Sequence, residues 1–254
     1  MNFLCMESYL STLWGELNGA GEVDFFIKGL AKFPFKFLGH DIYITTAHVC
    51  ALIVMVALII FAIIANRVIK KAIVTDTPGN FQNVVELIVE MLDNMVTGTM
   101  GKNGKKFLNY IGTIFIFILV SNISGLVGLR PPTAYYGVTF PLGLITFGMI
   151  TFNKFKHQKV KGVIKGLCDP WPIWAPINII GDVAVPISLS LRLFANILSG
   201  TVMMTLIYTL LPVFVKIGIP SVLHIYFDLF SGAIQTYVFC MLTMTYVNDA
   251  IGDN

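Results

Sequence analysis

Apolar residues in this chain are gathered into long runs, separated by short breaks that contain charged residues, proline or glycine. The five longest runs cover residues 43–66, 107–129, 138–153, 177–211 and 218–249. A helix of about 20 apolar residues crosses the hydrocarbon core of a bilayer, which is about 30 Å thick. The pattern therefore predicts five transmembrane helices, the third of them short.

The last two runs are longer than a perpendicular crossing requires. At a rise of about 1.5 Å per residue, each would form a helix about 50 Å long. Helices of that length must tilt steeply, bend or extend beyond the membrane. Pro186 favours a bend in the first of them, and a break across Pro212 to Pro220 joins the two.

A different pattern fills the segment between the first two spans. Apolar residues recur with helical spacing on one side and acidic residues occupy the other, as in Leu92 and Glu90. We expect a helix over 81–96 that lies at the membrane surface, although an amphipathic helix packed on a partner gives the same pattern. Residues 1–40 mix phenylalanines with lysines and indicate a second interfacial segment.

Composition supports an all-α integral membrane protein with a single polytopic domain over residues 41–254. Hydrophobic residues make up 56% of the chain and charged residues 12%, whereas soluble domains are about 25% charged. The net charge of +3 is modest and no basic arm is present, so lipid rather than nucleic acid is the expected surrounding. The four cysteines form no CxxC pair, and we expect no metal site and no cofactor.

The distribution of lysine and arginine predicts the orientation. Basic residues follow the first span at Arg67 and the third span at 154–165, so both connections are expected on the cytoplasmic side of a cell membrane. Five spans then place the N-terminus outside and the C-terminus inside. Three lysines before residue 40 oppose this weakly. No cleavable signal pattern is visible, and the first span is expected to direct insertion.

Arg192 is the most unusual residue of the chain, because it lies near the middle of an apolar run. An arginine at the bilayer centre costs about 2.5–3.5 kcal/mol on insertion scales, and it cannot lose its proton to avoid that cost. Snorkelling is disfavoured because both ends of the run are distant. A structural ion pair would need Asp182 or Asp228, the acids that lie well within the last two runs. The position favours a functional role.

Asp228 is the second unusual residue. His224 precedes it by four positions and Gln235 follows by seven, which places the three on one helix face. A polar stripe of this kind lines a protein interior or an aqueous path. Ser231 and Gly232 on the same stripe suit helix–helix contact, but an aspartate does not. Asp182 could serve an ion path or, equally, favour a helix dipole.

Four stretches in order resemble one known family. Ser188-Leu-Ser-Leu-Arg192-Leu-Phe-Ala-Asn196 resembles the arginine motif of subunit a of F-type ATP synthases. Gln82-Asn83 with Glu86, the run from Phe115 to Pro132, and the run from Pro176 to Asp182 resemble other segments of the same family. The resemblance covers most of residues 40–249, and the first 40 residues show no clear match.

The resemblance implies a non-catalytic, ion-translocating subunit of the membrane sector. Its last two helices would form a tilted hairpin against a rotating ring of c subunits, with the b-subunit peripheral stalk and the rest of the complex as further partners. Arg192 would separate two aqueous half-channels that carry H⁺ or Na⁺. Asn196 would support it from the next turn and Gln235 would face it from the last helix.

The chain departs from the family pattern at three positions. Thr201 stands where an ionisable residue is frequent, Tyr135 where an aspartate is common, and Asp228 where a glutamate or histidine is usual. These departures shift the expected acid–base work of the half-channel onto Asp228 and His224.

Two other classes of protein also place polar residues inside a membrane. Many secondary transporters show paired halves with broken helices, which this sequence lacks. An intramembrane hydrolase needs a nucleophile and base, or an HExxH-type metal site. The four histidines do not have that spacing.

Overall fold

The computed structural model describes residues 29–37, 40–71, 79–127, 131–168, 171–210 and 219–252. Two strands come first, β1 (Gly29–Phe37) and β2 (His40–Thr45). The helices follow as α1 (Thr46–Lys71), α2 (Asn80–Met100), α3 (Gly104–Ile123), α4 (Tyr136–Cys168), α5 (Ala175–Leu210), α6 (Ile219–His224) and α7 (Gly232–Ile251). A π-helical segment, Ile225–Ser231, joins α6 to α7.

Five helices in the described residues are long and apolar enough to cross a membrane. They are Thr46–Lys70, Gly104–Leu126, Tyr136–Gln158, Ala175–Ile207 and Val222–Ile251. The predicted all-α membrane fold with five spans is therefore confirmed. The predicted turn at 212–218 and residues 1–28 of the predicted interfacial segment lie outside the described part of the chain.

A short β-hairpin, which was not predicted from the sequence, precedes the first span. β1 and β2 pair antiparallel, with Phe37 opposite His40 and Gly29 opposite Thr45. The first span was predicted to begin at residue 43 and begins instead at Thr46. Residues 42–45 read Ile-Tyr-Ile-Thr, which are residues with high strand propensity, so their apolar character belongs to the strand.

The third span is longer than its apolar run. The sequence predicted a span over 138–153 followed by a basic connection, whereas α4 continues through the lysine-rich stretch to Cys168. The bilayer limits the length of the apolar run but not the length of the helix. Lysine is a good helix former, so the helix continues after its residues have become polar.

The core lies among the amphipathic helix α2, α3, α5 and α7, with α2 packed against α3 and α7. Its fully buried members include Val96, Ile118, Leu193 and Phe239, one from each of these helices. The helix predicted over 81–96 is thus longer, Asn80–Met100, and its apolar face packs on this chain's own spans. Leu87 on its other side is exposed, as expected of a helix beside lipid.

Two glycines allow pairs of helices to approach closely. A Cβ added at Gly143 in α4 would lie 2.7 Å from the carbonyl oxygen of Pro186 in α5. A Cβ added at Gly232 at the start of α7 would lie 2.9 Å from the Cβ of Asn122 in α3. Real Cβ atoms do not approach other atoms so closely, so these crossings fix α5 against α4, and α7 against α3.

Candidate functional site

Arg192 lies on the outward face of α5. Its neighbours Leu189 and Leu193 are buried in the core, while Arg192 and Leu191 are exposed. The helical repeat accounts for this, because positions 189 and 193 share one face and 191 and 192 lie around the side from it. The guanidinium therefore points away from the packed interior of the chain.

Neither candidate carboxylate is paired with Arg192. Asp182 forms a 2.8 Å salt bridge with Lys154 of α4, and Asp228 pairs with His224. Within the described residues, no salt bridge or side-chain hydrogen bond involves Arg192. The structural ion pair that the sequence left open is therefore absent from this part of the chain, and the charge is presented to the outer surface of α5.

The position of Asp182 does not fit a helix-dipole role, which was one of the two alternatives that the sequence left open for it. α5 begins at Ala175, and its first turn contains no acidic residue, so Asp182 lies about two turns into the helix. The dipole effect fades within the first turn. The Lys154–Asp182 pair instead ties the end of the third span to the first part of α5.

Asn196 bonds to the last helix rather than to Arg192. The Ser231 hydroxyl donates to Asn196 Oδ1 over 3.0 Å, and Asn196 Nδ2 donates to the Ser231 carbonyl over 3.5 Å. Asn196 thus joins α5 to the π-helical segment one turn beyond Arg192. Ser231 makes the helix–helix contact that its place on the polar stripe indicated.

His224 and Asp228, which their spacing places on one helix face, are paired in the structure. The Nδ1 atom of His224 lies 2.8 Å from Oδ2 of Asp228, which is a hydrogen-bond distance between the two side chains. The side chain of Asp228 is 17% exposed and that of His224 35%. The imidazole therefore lies nearer the surface and the carboxylate deeper, which is an arrangement able to pass a proton inward.

Gly125, which the sequence analysis did not single out, borders the Asp228 carboxylate. A Cβ at this position would lie 3.2 Å from both Cγ and Oδ2 of Asp228 and 3.3 Å from Pro131. Gly125 belongs to the 3₁₀ segment Ser124–Val127 after α3. A side chain there would press on the carboxylate, so the glycine leaves the space that Asp228 occupies.

A buried hydrogen-bond network next to the His224–Asp228 pair is centred on Asn122. This residue, like Gly125, was not singled out from the sequence. Its amide Nδ2 donates to the carbonyl of Gly232 over 3.1 Å and to Thr236 Oγ1 over 3.3 Å. Its Oδ1 accepts from the Thr133 hydroxyl over 2.7 Å. Asn122 is 1% exposed. An asparagine within an apolar run was the available signal, because a buried amide requires partners.

Gln235 is buried but not fully paired. It is 8% exposed, and its Nε2 has no hydrogen-bond partner within the described residues. No hydrogen bond joins it to Arg192, so its predicted place opposite the arginine remains a prediction. A buried amide without a partner is rare in folded proteins, and a group from outside the chain or a water molecule would satisfy it.

The side chains at the three positions where the chain departs from the family pattern each have a hydrogen-bond partner within the chain. Thr201 Oγ1 donates to the carbonyl of Leu198 in its own helix. The Tyr135 hydroxyl lies 3.2 Å from Thr46 Oγ1, at the start of α1. Of the three, only Asp228 belongs to the polar stripe on the last helix.

These features define a multi-pass helical membrane protein. It exposes Arg192 on α5 and holds the His224–Asp228 pair on the last membrane-spanning helix. The ATP synthase A chain family matches residues 48–248, and the chain belongs to this family. It is 38% identical over 192 residues to "ATP synthase subunit a, sodium ion specific" of Propionigenium modestum, covering 69% of this chain and 65% of that protein.

Two further relatives carry the same family name. "ATP synthase subunit a 2" of Chlorobaculum tepidum is 33% identical over 82% of this chain and 63% of its own length. "ATP synthase subunit a 3" of Pelobacter propionicus is 34% identical over 78% of this chain and 84% of its own length. The chain thus spans slightly less than two thirds of the first two relatives.

Proposed function

We propose that this chain is the stator subunit a of a rotary F-type ATP synthase, a non-catalytic subunit that conducts ions to and from the carboxylates of a c-subunit ring. Family membership and five membrane-spanning helices support this proposal. The observation that carries it is Arg192, which is exposed on the outer face of α5 with no acidic partner in the described residues.

A partner with a negative charge would offset the cost of that arginine. An opposite charge within about 4–6 Å favours the ionised form of a carboxylate. A ring carboxylate that reaches Arg192 would therefore release its ion, and the fixed positive charge would repel cations from a direct path. Arg192 would in this way separate two half-channels, with α5 and the last helix forming the hairpin beside the ring.

The outer half-channel would run along the last helix from His224 to Asp228 and then to Gln235. Histidine as a residue type exchanges protons near neutral pH, and the 2.8 Å contact between His224 and Asp228 supports transfer of a proton along this path. The unpaired Nε2 of Gln235 would be the deepest polar group of this path. Asp182 would belong to the inner half-channel, with Lys154 as its counter-ion.

The test is ion-driven ATP synthesis by the intact complex in inverted membrane vesicles. Arg192→Ala should lower synthesis to background while the complex still assembles, and should let ions leak passively. Arg192→Lys should also fail, because an ammonium lacks the planar donor set of a guanidinium. Arg67→Ala removes an exposed arginine at the end of α1 and should leave synthesis unchanged. Near-normal synthesis by Arg192→Ala would refute the proposal.

The coupling ion is proposed to be H⁺ or Na⁺. Both ions must be tested, because the Propionigenium modestum relative is named as sodium ion specific. ATP-driven transport should collapse with a protonophore in the first case. In the second case it should require Na⁺ and collapse only with a sodium ionophore. Co-purification with a c ring and a peripheral stalk would test the proposed partners.

The proposed orientation in the cell membrane places the N-terminus outside and the C-terminus inside. The lysine-rich end of α4 should then face the cytoplasm. A cysteine introduced at Lys159 should react with an impermeant reagent only after the cells are opened. Reaction in intact cells would reverse the proposed orientation.

A further inference from the structure

A cavity of about 340 Å³ lies where the ends of three membrane helices meet. At and just before the start of α3 it is lined by Asn103, Lys106 and Phe107, and at the end of α7 by Ile251. The wall from the middle of α4, where the third span ends, consists of Met149, Phe152, Asn153, Lys156 and His157. The cavity is remote in sequence from Arg192 and the His224–Asp228 pair. The alternation of the spans puts these three helix ends on one face of the membrane.

The lining changes from apolar to basic in the same direction on both main walls. Along α4, Met149, Phe152 and Lys156 follow one helix face, because their spacings of three and four residues match the helical repeat. On α3, which runs the opposite way, Lys106 precedes Phe107. Each wall is therefore apolar towards the membrane interior and basic towards its surface.

Charge and exposure identify the kind of ligand that fits this gradient. Among the described residues that line the cavity, none is a carboxylate. Lys106 and Lys156 are both exposed, and Lys156 Nζ lies 6.0 Å from the centre of the Phe152 ring. Phe152 itself is 66% exposed. Two exposed lysines in the lining, one of them over an exposed aromatic ring, suit a molecule with an anionic head and an apolar body.

We propose that this cavity binds an anionic phospholipid, with Lys106 and Lys156 on the phosphodiester and the acyl chains along the exposed face of α4 at Phe152. Basic pockets between membrane helices on the cytoplasmic side are suited to anionic head groups, and the predicted orientation puts the cavity on that side. The ring Nδ1 of His157 is bonded to the carbonyl of Asn153 at 3.1 Å, so this atom is already engaged within α4 and the head group is assigned to the lysines.

The intact complex in phosphatidylcholine nanodiscs tests the proposal with a photoactivatable phosphatidylglycerol. Labelling should fall on the peptide that contains Phe152 and exceed that of the matching phosphatidylcholine probe. Lys106→Gln with Lys156→Gln should weaken binding about 30-fold, the ratio corresponding to about 1 kcal/mol for each lysine near the surface. Replacing both by arginine should retain binding and show that the folded cavity persists.

The matched control is Lys70→Gln with Lys105→Gln, which removes the same charge from exposed positions outside the cavity and should leave labelling unchanged. Equal labelling by the two lipids, or equal loss in both double variants, would overturn the proposal. Competition by millimolar inorganic phosphate would show a site for free anions instead. Absence of labelling in the complex would also overturn the proposal. The readout is independent of ion transport and therefore of the proposed function.

Discussion

The two polar regions of this membrane protein differ in where their partners lie. Between α3 and the last helix, Asn122 is buried and satisfied by Thr133, Gly232 and Thr236. On the outer face of α5, Arg192 is exposed and has no acidic partner in the described residues. Both residues interrupt apolar runs, but one is satisfied within the chain and the other is not.

This difference separates polar groups that hold the fold from polar groups that serve a partner. A satisfied buried amide fixes the crossing of its helices, and losing it leaves its former partners unpaired. A guanidinium at an apolar surface that finds no acid in the described part of its chain would be stabilised by an acid from outside, as proposed above. The Asp228–His224 pair is intermediate, because it is bonded within the chain yet partly exposed.

Arg192→Ala is expected to reduce transport most. Asp228→Asn, in the intermediate pair, is expected to have the next largest effect. The amide keeps the size and a hydrogen bond to His224 but cannot titrate. Ion-driven ATP synthesis should fall about 100-fold, the lower range for removing a proton-transferring group, whereas Asp228→Glu should be tolerated. Asp249→Asn, an exposed position on α7, is the control. Assembled Asp228→Asn complexes that transport normally would show that the pair is structural.

Asn122→Ala should instead affect stability. It leaves the Thr133 hydroxyl without its acceptor and removes a bond between α3 and the start of α7, at a cost of about 1–3 kcal/mol. The complex should dissociate at a lower denaturant concentration. Asn94→Ala on the exposed side of α2 should not change that concentration, and neither should Arg192→Ala. Equal stability of the Asn122 variant and the wild type would remove the distinction between the two regions.

Gly125→Ala is expected to have a smaller effect that falls on transport. The new Cβ would lie 3.2 Å from the Asp228 carboxylate, so the side chain of Asp228 must shift by a few tenths of an ångström. Ion-driven synthesis should drop several-fold with assembly unchanged. Gly148→Ala in α4, where a Cβ meets nothing within 4 Å, is the matched control. A variant indistinguishable from this control would show that the carboxylate tolerates displacement.

The smallest effect is expected from Lys154→Gln. The salt bridge with Asp182 is partly exposed at both ends, 25% and 47%, and pairs of this kind contribute about 0–1 kcal/mol. Stability of the complex should hardly change. If Asp182 serves the inner half-channel, the loss of its counter-ion should alter synthesis without altering assembly. If neither stability nor synthesis changes, the Lys154–Asp182 pair neither stabilises the complex nor supports the half-channel.

The sequence alone determined the features that a bilayer imposes locally. Five apolar runs required five spans, and the approximate boundaries followed because the membrane thickness limits each run. Arg192 and Asp228 were identifiable because a charge in such a run is costly wherever the helix packs. The His224–Asp228 pair was predictable because a spacing of four residues brings side chains together on one helix.

Only the tertiary structure decided which partner each polar group has. The pairing of Asp182 with Lys154, the link of Asn196 to Ser231 and the network at Asn122 join residues far apart in sequence, and no local pattern specifies them. The outward direction of Arg192 follows from the packing of Leu189 and Leu193 on the core. The π-helical segment and the extension of α4 to Cys168 were also not foreseen, since apolar patterning reports the membrane boundary and not the hydrogen bonds of the backbone.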